Sequence, residues 1–242
     1  MRVDGRANNQ LREVSFQLPY LDHNPASVLI AMGKTRVLCV ASVAEEVPPW
    51  LRGQAQGWVT AEYALLPAST HSRTAREGRA GVSARTHEIQ RLIGRSLRMS
   101  VDIRKLGERT ITVDCDVVQA DGGTRTAAVT GGYVALALAV QRLVEAGSVH
   151  RNVWRAPVAA VSAGVVQSEV LLDLCYAEDS QAEVDFNLVM DARGRYVELQ
   201  STAEGQPFEY ATMDRMLKLA EEGIRQLLMA QKQVLARVAG TK

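Results

Sequence analysis

An α+β fold is predicted for this chain of 242 residues. Strand-like runs come in adjacent pairs, three long helical stretches are mixed among them, and no Pro-, Ser- or Gly-rich linker divides the chain. A doubly wound parallel sheet would instead alternate strand and helix throughout. One compact domain over residues 1–242 is therefore expected.

Residues 28–43 read as a hairpin turning at Gly33 and Lys34. Residues 57–66 form a further strand closed by Pro67, and 68–84 have no apolar period, which predicts an exposed loop. Ile89, Leu92, Ile93, Leu97 and Val101 make the apolar stripe of a helix. Arg91, Arg95 and Arg98 lie on a separate face, a pattern that a merely solvated surface also produces. Ile111, Val113, Cys115 and Val117 alternate with polar neighbours as in a half-buried strand. Asp121-Gly122-Gly123 must then turn, and a small-residue helix runs from about 126 to 146 with Gly147 as its C-cap. Residues 157–167 pair with 169–175 as a second hairpin, and 183–189 with 196–200 as a third. A last amphipathic helix spans about 211–238.

Composition excludes several classes. With 47% hydrophobic and 23% charged residues the chain has an ordinary soluble globular balance. Its polar N-terminus lacks a signal-peptide core, and the most apolar stretch, 127–140, is short and broken by Thr130, Gly131 and Gly132, so no membrane span is expected. Cys39, Cys115 and Cys175 lie far apart in strand-like runs, which suits reduced, half-buried thiols of a cytoplasmic protein. The four histidines show no ligand spacing, so zinc is not expected.

A net charge of +1 excludes a globally basic nucleic-acid binder, but the distribution is uneven. Residues 73–109 hold ten bases against four acids, whereas 169–191 hold seven acids and no base. These stretches are either complementary surfaces or a phosphate-gripping wall facing a metal-holding one. The sharpest local signal is the strand, glycine pair and helix start at residues 111–126. This arrangement leaves backbone N–H groups free in one concave place, where Arg125 adds a planar fork of donors. A plain tight turn with a surface arginine has the same residues.

Together these segments resemble the ribonuclease PH family of phosphate-dependent 3′→5′ exoribonucleases, over nearly the whole chain. The resemblance is carried by Arg6 with Asn8 and Asn9, by the run from Gly57 to Tyr63, and by Arg85-Thr86-His87-Glu88 continuing to Arg95. It continues through residues 114–125, Glu178-Asp179-Ser180, the run from Glu183 to Asn187, and Gln200 to Gly205. It implies a βαβα fold like ribosomal protein S5 domain 2, a homohexamer built as a trimer of dimers, Mg2+ dependence, and tRNA precursors and other structured RNA 3′ ends as substrates. Carried over, inorganic phosphate sits on Arg85, Gly123, Thr124 and Arg125, with Arg91 as a further anion contact. Asp179 and Asp185 are the catalytic, metal-holding carboxylates, with Glu183 a weaker candidate, and Arg73, Arg76 and Arg79 contact RNA. Asp114 and Asp116 are expected to support the phosphate loop, and Glu62 and Tyr63 to serve packing or a subunit contact. The chain departs from the pattern at Ala68, where arginine is common, and at Ala84, Cys175 and Ser201. Two other readings fit the sequence less well. A non-catalytic RNA-binding ring subunit would show an eroded glycine turn or aspartate pair, and both are intact. A nucleotide-binding kinase would need a glycine-rich nucleotide loop, which is absent.

Overall fold

The computed structural model describes residues 2–78 and 81–240. The first sheet contains β1 (Val14–Gln17), β2 (Ser27–Met32), β3 (Thr35–Ala44), β4 (Trp58–Leu65) and β5 (Thr110–Gln119), in the order β1-β2-β3-β5-β4. All its neighbours are antiparallel except β4 and β5. Their parallel pairing requires a crossover, which α1 (Ala84–Arg98) supplies. The second sheet is wholly antiparallel, in the order β7-β6-β8-β9, with β6 at Val158–Val166, β7 at Glu169–Leu172, β8 at Val184–Asp191 and β9 at Tyr196–Ala203.

The helix α2 (Thr124–Glu145) carries the chain from one sheet to the other. Every residue from Thr126 to Val140 is buried, so its small residues are packing contacts. A Cβ on Gly131 would stand 2.6 Å from Ile30 Cγ2, which shows why the helix is small-sided where it meets β2. By length and composition α2 could cross a membrane, contrary to the expectation from the interrupted apolar run. Most of that apolar surface is buried inside the fold. The last helix, α4 (Tyr210–Gly240), buries Met216, Ala220, Ile224 and Leu227. Gln231 on α4 donates from Nε2 to the carbonyls of Thr130 and Val158 at 2.9 and 3.0 Å, tying α4 to α2 and β6.

Two expected boundaries move. Val101 is fully buried but lies beyond the end of α1, where it bridges to Trp154. The second hairpin stops at Leu172, because Asp173 takes φ +54° and turns the chain into the four-residue α3 (Tyr176–Asp179). Cys175 therefore caps a helix instead of continuing a strand, and all three thiols are free and buried, not half-buried.

Candidate active site

Glycines 122 and 123 adopt φ +76° and +64°, so β5 can turn sharply into α2. No side chain caps the start of α2. Its first intrahelical bond runs from the Ala127 N–H to the Gly123 carbonyl, which leaves the N–H groups of Gly123, Thr124 and Arg125 available to an anion.

The buried side of this turn is braced by residues not anticipated from the sequence. Arg12 donates to the Asp121 carbonyl at 2.6 Å, and the Thr35 hydroxyl donates to the Gly122 carbonyl at 2.7 Å. The Thr35 hydroxyl also accepts from the Asp121 N–H at 3.0 Å. Arg12 is itself held by the carboxylate of Asp173. A Cβ on Gly122 would come within 2.5 Å of the Leu174 carbonyl, so the turn lies flat on the segment leading to α3. Asp114 and Asp116 make no hydrogen bond to the turn, so its support comes from Arg12 and Thr35 instead of that pair. Tyr63 has a more specific place than packing: its hydroxyl and that of Thr124 share a hydrogen bond of 2.8 Å.

Asp179 ends α3, and Asp185 is the second residue of β8. The preceding Glu178 fixes α3, because its buried carboxylate accepts from Arg2 at 2.6 and 2.8 Å. Burial pushes the Asp179 carboxyl above the usual range, and the charge of Asp185 adds to the shift. Burial likewise raises Asp185, against the opposing pull of Arg125, Arg85 and a 3.0 Å hydrogen bond from Asn187. Arg85 and Arg125 each act on both carboxylates, so two cations and two acids form one electrostatic unit.

Arg125 is steadied by Gln200 Oε1 at 3.0 Å and the Glu88 carboxylate at 3.3 Å, and Gln200 donates back to Glu88. Arg85 is exposed, with no ion pair among the described residues. The buried Ser162 hydroxyl, in register with Asn187 on β8, lies beside Gly123 and has no partner there.

The remaining expected residues stand apart. Arg91 is exposed about 9 Å further along α1 than Arg85 at ~1.5 Å per residue and is not among the largest influences on either aspartate. Arg73 and Arg76 are exposed in the loop before α1, and Arg76 acts on Asp116. Arg79 lies outside the described residues. Glu183 accepts from the Ser168 N–H at 3.0 Å, which ties its carboxylate to the turn between β6 and β7.

Hard oxygen donors whose charges oppose one another suit a divalent cation such as Mg2+, and Asp179 with Asp185 meets that description. The uncapped helix start and two arginines beside them suit a phosphate group.

Residues 10–140 match the 3′ exoribonuclease family, domain 1, and residues 156–223 match its domain 2. The chain is 52% identical over 237 residues to ribonuclease PH of Bacillus subtilis (strain 168), covering 97% of each. It is 56% identical over 237 residues to ribonuclease PH of a Synechococcus strain, again covering 97% of each. Among solved structures, an Archaeoglobus fulgidus exosome chain with RNA bound to the active site shares the fold at a TM-score of 0.78 and 20% identity, over 93% of this chain and 91% of that one. An archaeal exosome core chain does so at 0.76 and 20% identity, over 96% and 91%. With both domains of the family matched in order and two relatives more than half identical over 97% of the chain, the chain belongs to the 3′ exoribonuclease family.

Proposed function

We propose that this phosphorolytic 3′ exoribonuclease seats inorganic phosphate at the start of α2 and trims the 3′ ends of tRNA precursors beside Asp179 and Asp185. The observation that carries the assignment of residues is the shared action of Arg85 and Arg125 on both carboxylates, next to the free N–H groups of Gly123, Thr124 and Arg125.

Two anions must meet in this reaction. At ~4 Å two unit charges repel by about 4 kcal/mol at an effective dielectric near 20. Arg85, Arg125 and the turn N–H groups offset that repulsion and aim one phosphate oxygen at the last internucleotide phosphorus. The new P–O bond forms as the bond to the 3′ oxygen breaks. The products are a nucleoside 5′-diphosphate and a shortened RNA whose 3′ oxygen takes up a proton. Asp179 and Asp185 would hold Mg2+, which supplies positive charge to the non-bridging oxygens. Either carboxyl, with its raised pKa, can instead deliver the proton to the leaving oxygen.

The same reading includes a homohexamer arranged as a trimer of dimers, supported by family membership and by the general closure of homo-oligomers. It also includes one folded unit in the cytoplasm, supported by a buried core that runs through both sheets and by three free thiols. Light scattering should give about six times 26.4 kDa.

The test is incubation of the protein with a 3′-tailed RNA and Mg2+, with and without phosphate. Nucleoside 5′-diphosphates should appear only with phosphate, and excess diphosphate should lengthen the tail. Release of monophosphates at the same rate without phosphate would make water the nucleophile and sink the proposal.

A further inference from the structure

We infer that the end of the molecule opposite the carboxylates carries a second RNA-contacting groove, which holds the body of the substrate while its 3′ end is cut. This rests on RNA being the substrate. Asp185 and Asp191 lie near the two ends of β8, about 20 Å apart at ~3.3 Å per residue. Around Asp191, clefts of 580 and 440 Å³ adjoin through Met99 and Arg155. Six cations line them, Arg98, Arg104, Lys105, Arg155, Arg193 and Arg195, against two acids.

Both acids are already compensated. Asp191 is buried and lies 2.6 Å from Arg195, while Asp102 lies 3.4 Å from Arg155 and 3.8 Å from Lys105. Arg104 and Arg193 are exposed, and their side chains make no ion pair or hydrogen bond among the described residues. The groove is therefore left with uncompensated positive charge.

Aromatic rings share the same walls. Trp58 lies in one cleft with the Arg98 guanidinium 4.2 Å from its ring centre, and Trp154 and Tyr196 lie in the other. Tyr196 is 52% exposed. Exposed cations and an exposed ring, here Tyr196, along one groove form the combination that holds unpaired nucleotides without reading sequence. An acidic protein surface would use the cations but not the rings, so the chemistry favours RNA. The helix α1 runs between the two ends, with Arg85 in its first turn beside the carboxylates and Met99 following its last. One RNA can therefore touch both sites.

The test uses the double variant Arg104→Gln/Arg193→Gln in the full chain, since neither side chain has a partner to lose. Affinity for a stem–loop RNA with a 3′ tail is measured at roughly 50 and 200 mM salt, where each phosphate contact to unpaired nucleotides contributes a slope of about 0.7. Over that range the double variant should lose about sevenfold less affinity than the parent, while phosphorolysis of a short unstructured oligonucleotide stays unchanged. Unchanged salt dependence would overturn the inference. A changed mass in light scattering would also overturn it, by making the groove a contact between copies. Failure of the parent to cut the short oligonucleotide would count against the proposed activity and not against the groove.

Discussion

Arg12 and Asp173 meet beneath the glycine turn, with Nη2 2.7 Å from Oδ1 and Asp173 fully buried. Burial works against the charge of Arg12, yet Asp173 outweighs it and keeps the guanidinium more firmly protonated than usual. The pair holds the glycine turn in one conformation, because the same guanidinium bonds the Asp121 carbonyl, and so would fix the proposed anion seat.

Asp173→Asn therefore has two expected effects. Breaking a buried pair by removing one charge costs about 3–5 kcal/mol, readable as a lower urea midpoint. Asparagine tolerates the φ of +54° at this position, so the backbone itself is not the cause. The folded variant should also need more phosphate, with KM for phosphate rising more than kcat falls. An unchanged phosphate KM would separate the pair from the anion seat.

Asp179→Asn and Asp185→Asn should each lower kcat by roughly 100- to 1000-fold, about 2.7–4 kcal/mol of transition-state stabilisation, with RNA binding retained. Without metal, either variant should melt at a higher temperature than the parent. Both carboxyls are raised in the folded protein, so they hold protons that the unfolded chain has already released. Their charge thus opposes folding above the ordinary carboxylate range, and asparagine removes that penalty. Near-full turnover in both variants at saturating Mg2+ would refute the assignment.

Glu178 shifts in the opposite direction. Burial opposes its charge, but hydrogen bonding to Arg2 prevails and draws the carboxyl below its ordinary 4.5. Its stabilising contribution is complete above the unfolded value and disappears as pH falls through the lowered folded value. Glu178→Gln should cost about 3–5 kcal/mol near neutrality and reduce the loss of stability on acidification. Urea unfolding at a series of pH values measures both effects.

Ala68 is exposed at the start of the loop that carries Arg73 and Arg76, on the approach to Ser83 and α1. Ala68→Arg should tighten binding of a tRNA precursor, most at low salt, and steepen its salt slope by about 0.9. Turnover of a short single-stranded tail should hardly change. An equal effect on the short-tail rate would place this loop inside the catalytic pocket.

The α+β class, the three hairpins and the long helices were legible because each is written in local apolar periodicity and turn residues. Gly33, the glycine pair at 122 and 123, and Gly147 mark real turns or helix ends. Asp179, Asp185, Arg85 and Arg125 were named through motif resemblance, and the fold brings them into one electrostatic unit. Arg12, Thr35 and Asp173 had no such signal. Each is an ordinary residue in its own segment, and its role exists only where β3, the turn into α2 and the segment after β7 come into contact. The same holds for the groove around Asp191, whose cations come from four separated stretches of chain. Val101 and Cys175 show the limit from the other side. Apolar character predicted their burial, but the bridge to Trp154 and the positive φ at Asp173 ended the elements sooner. Periodicity is a property of neighbours along the chain, whereas ion pairs, helix ends and cleft walls depend on which distant segments the packed core brings within a few ångströms.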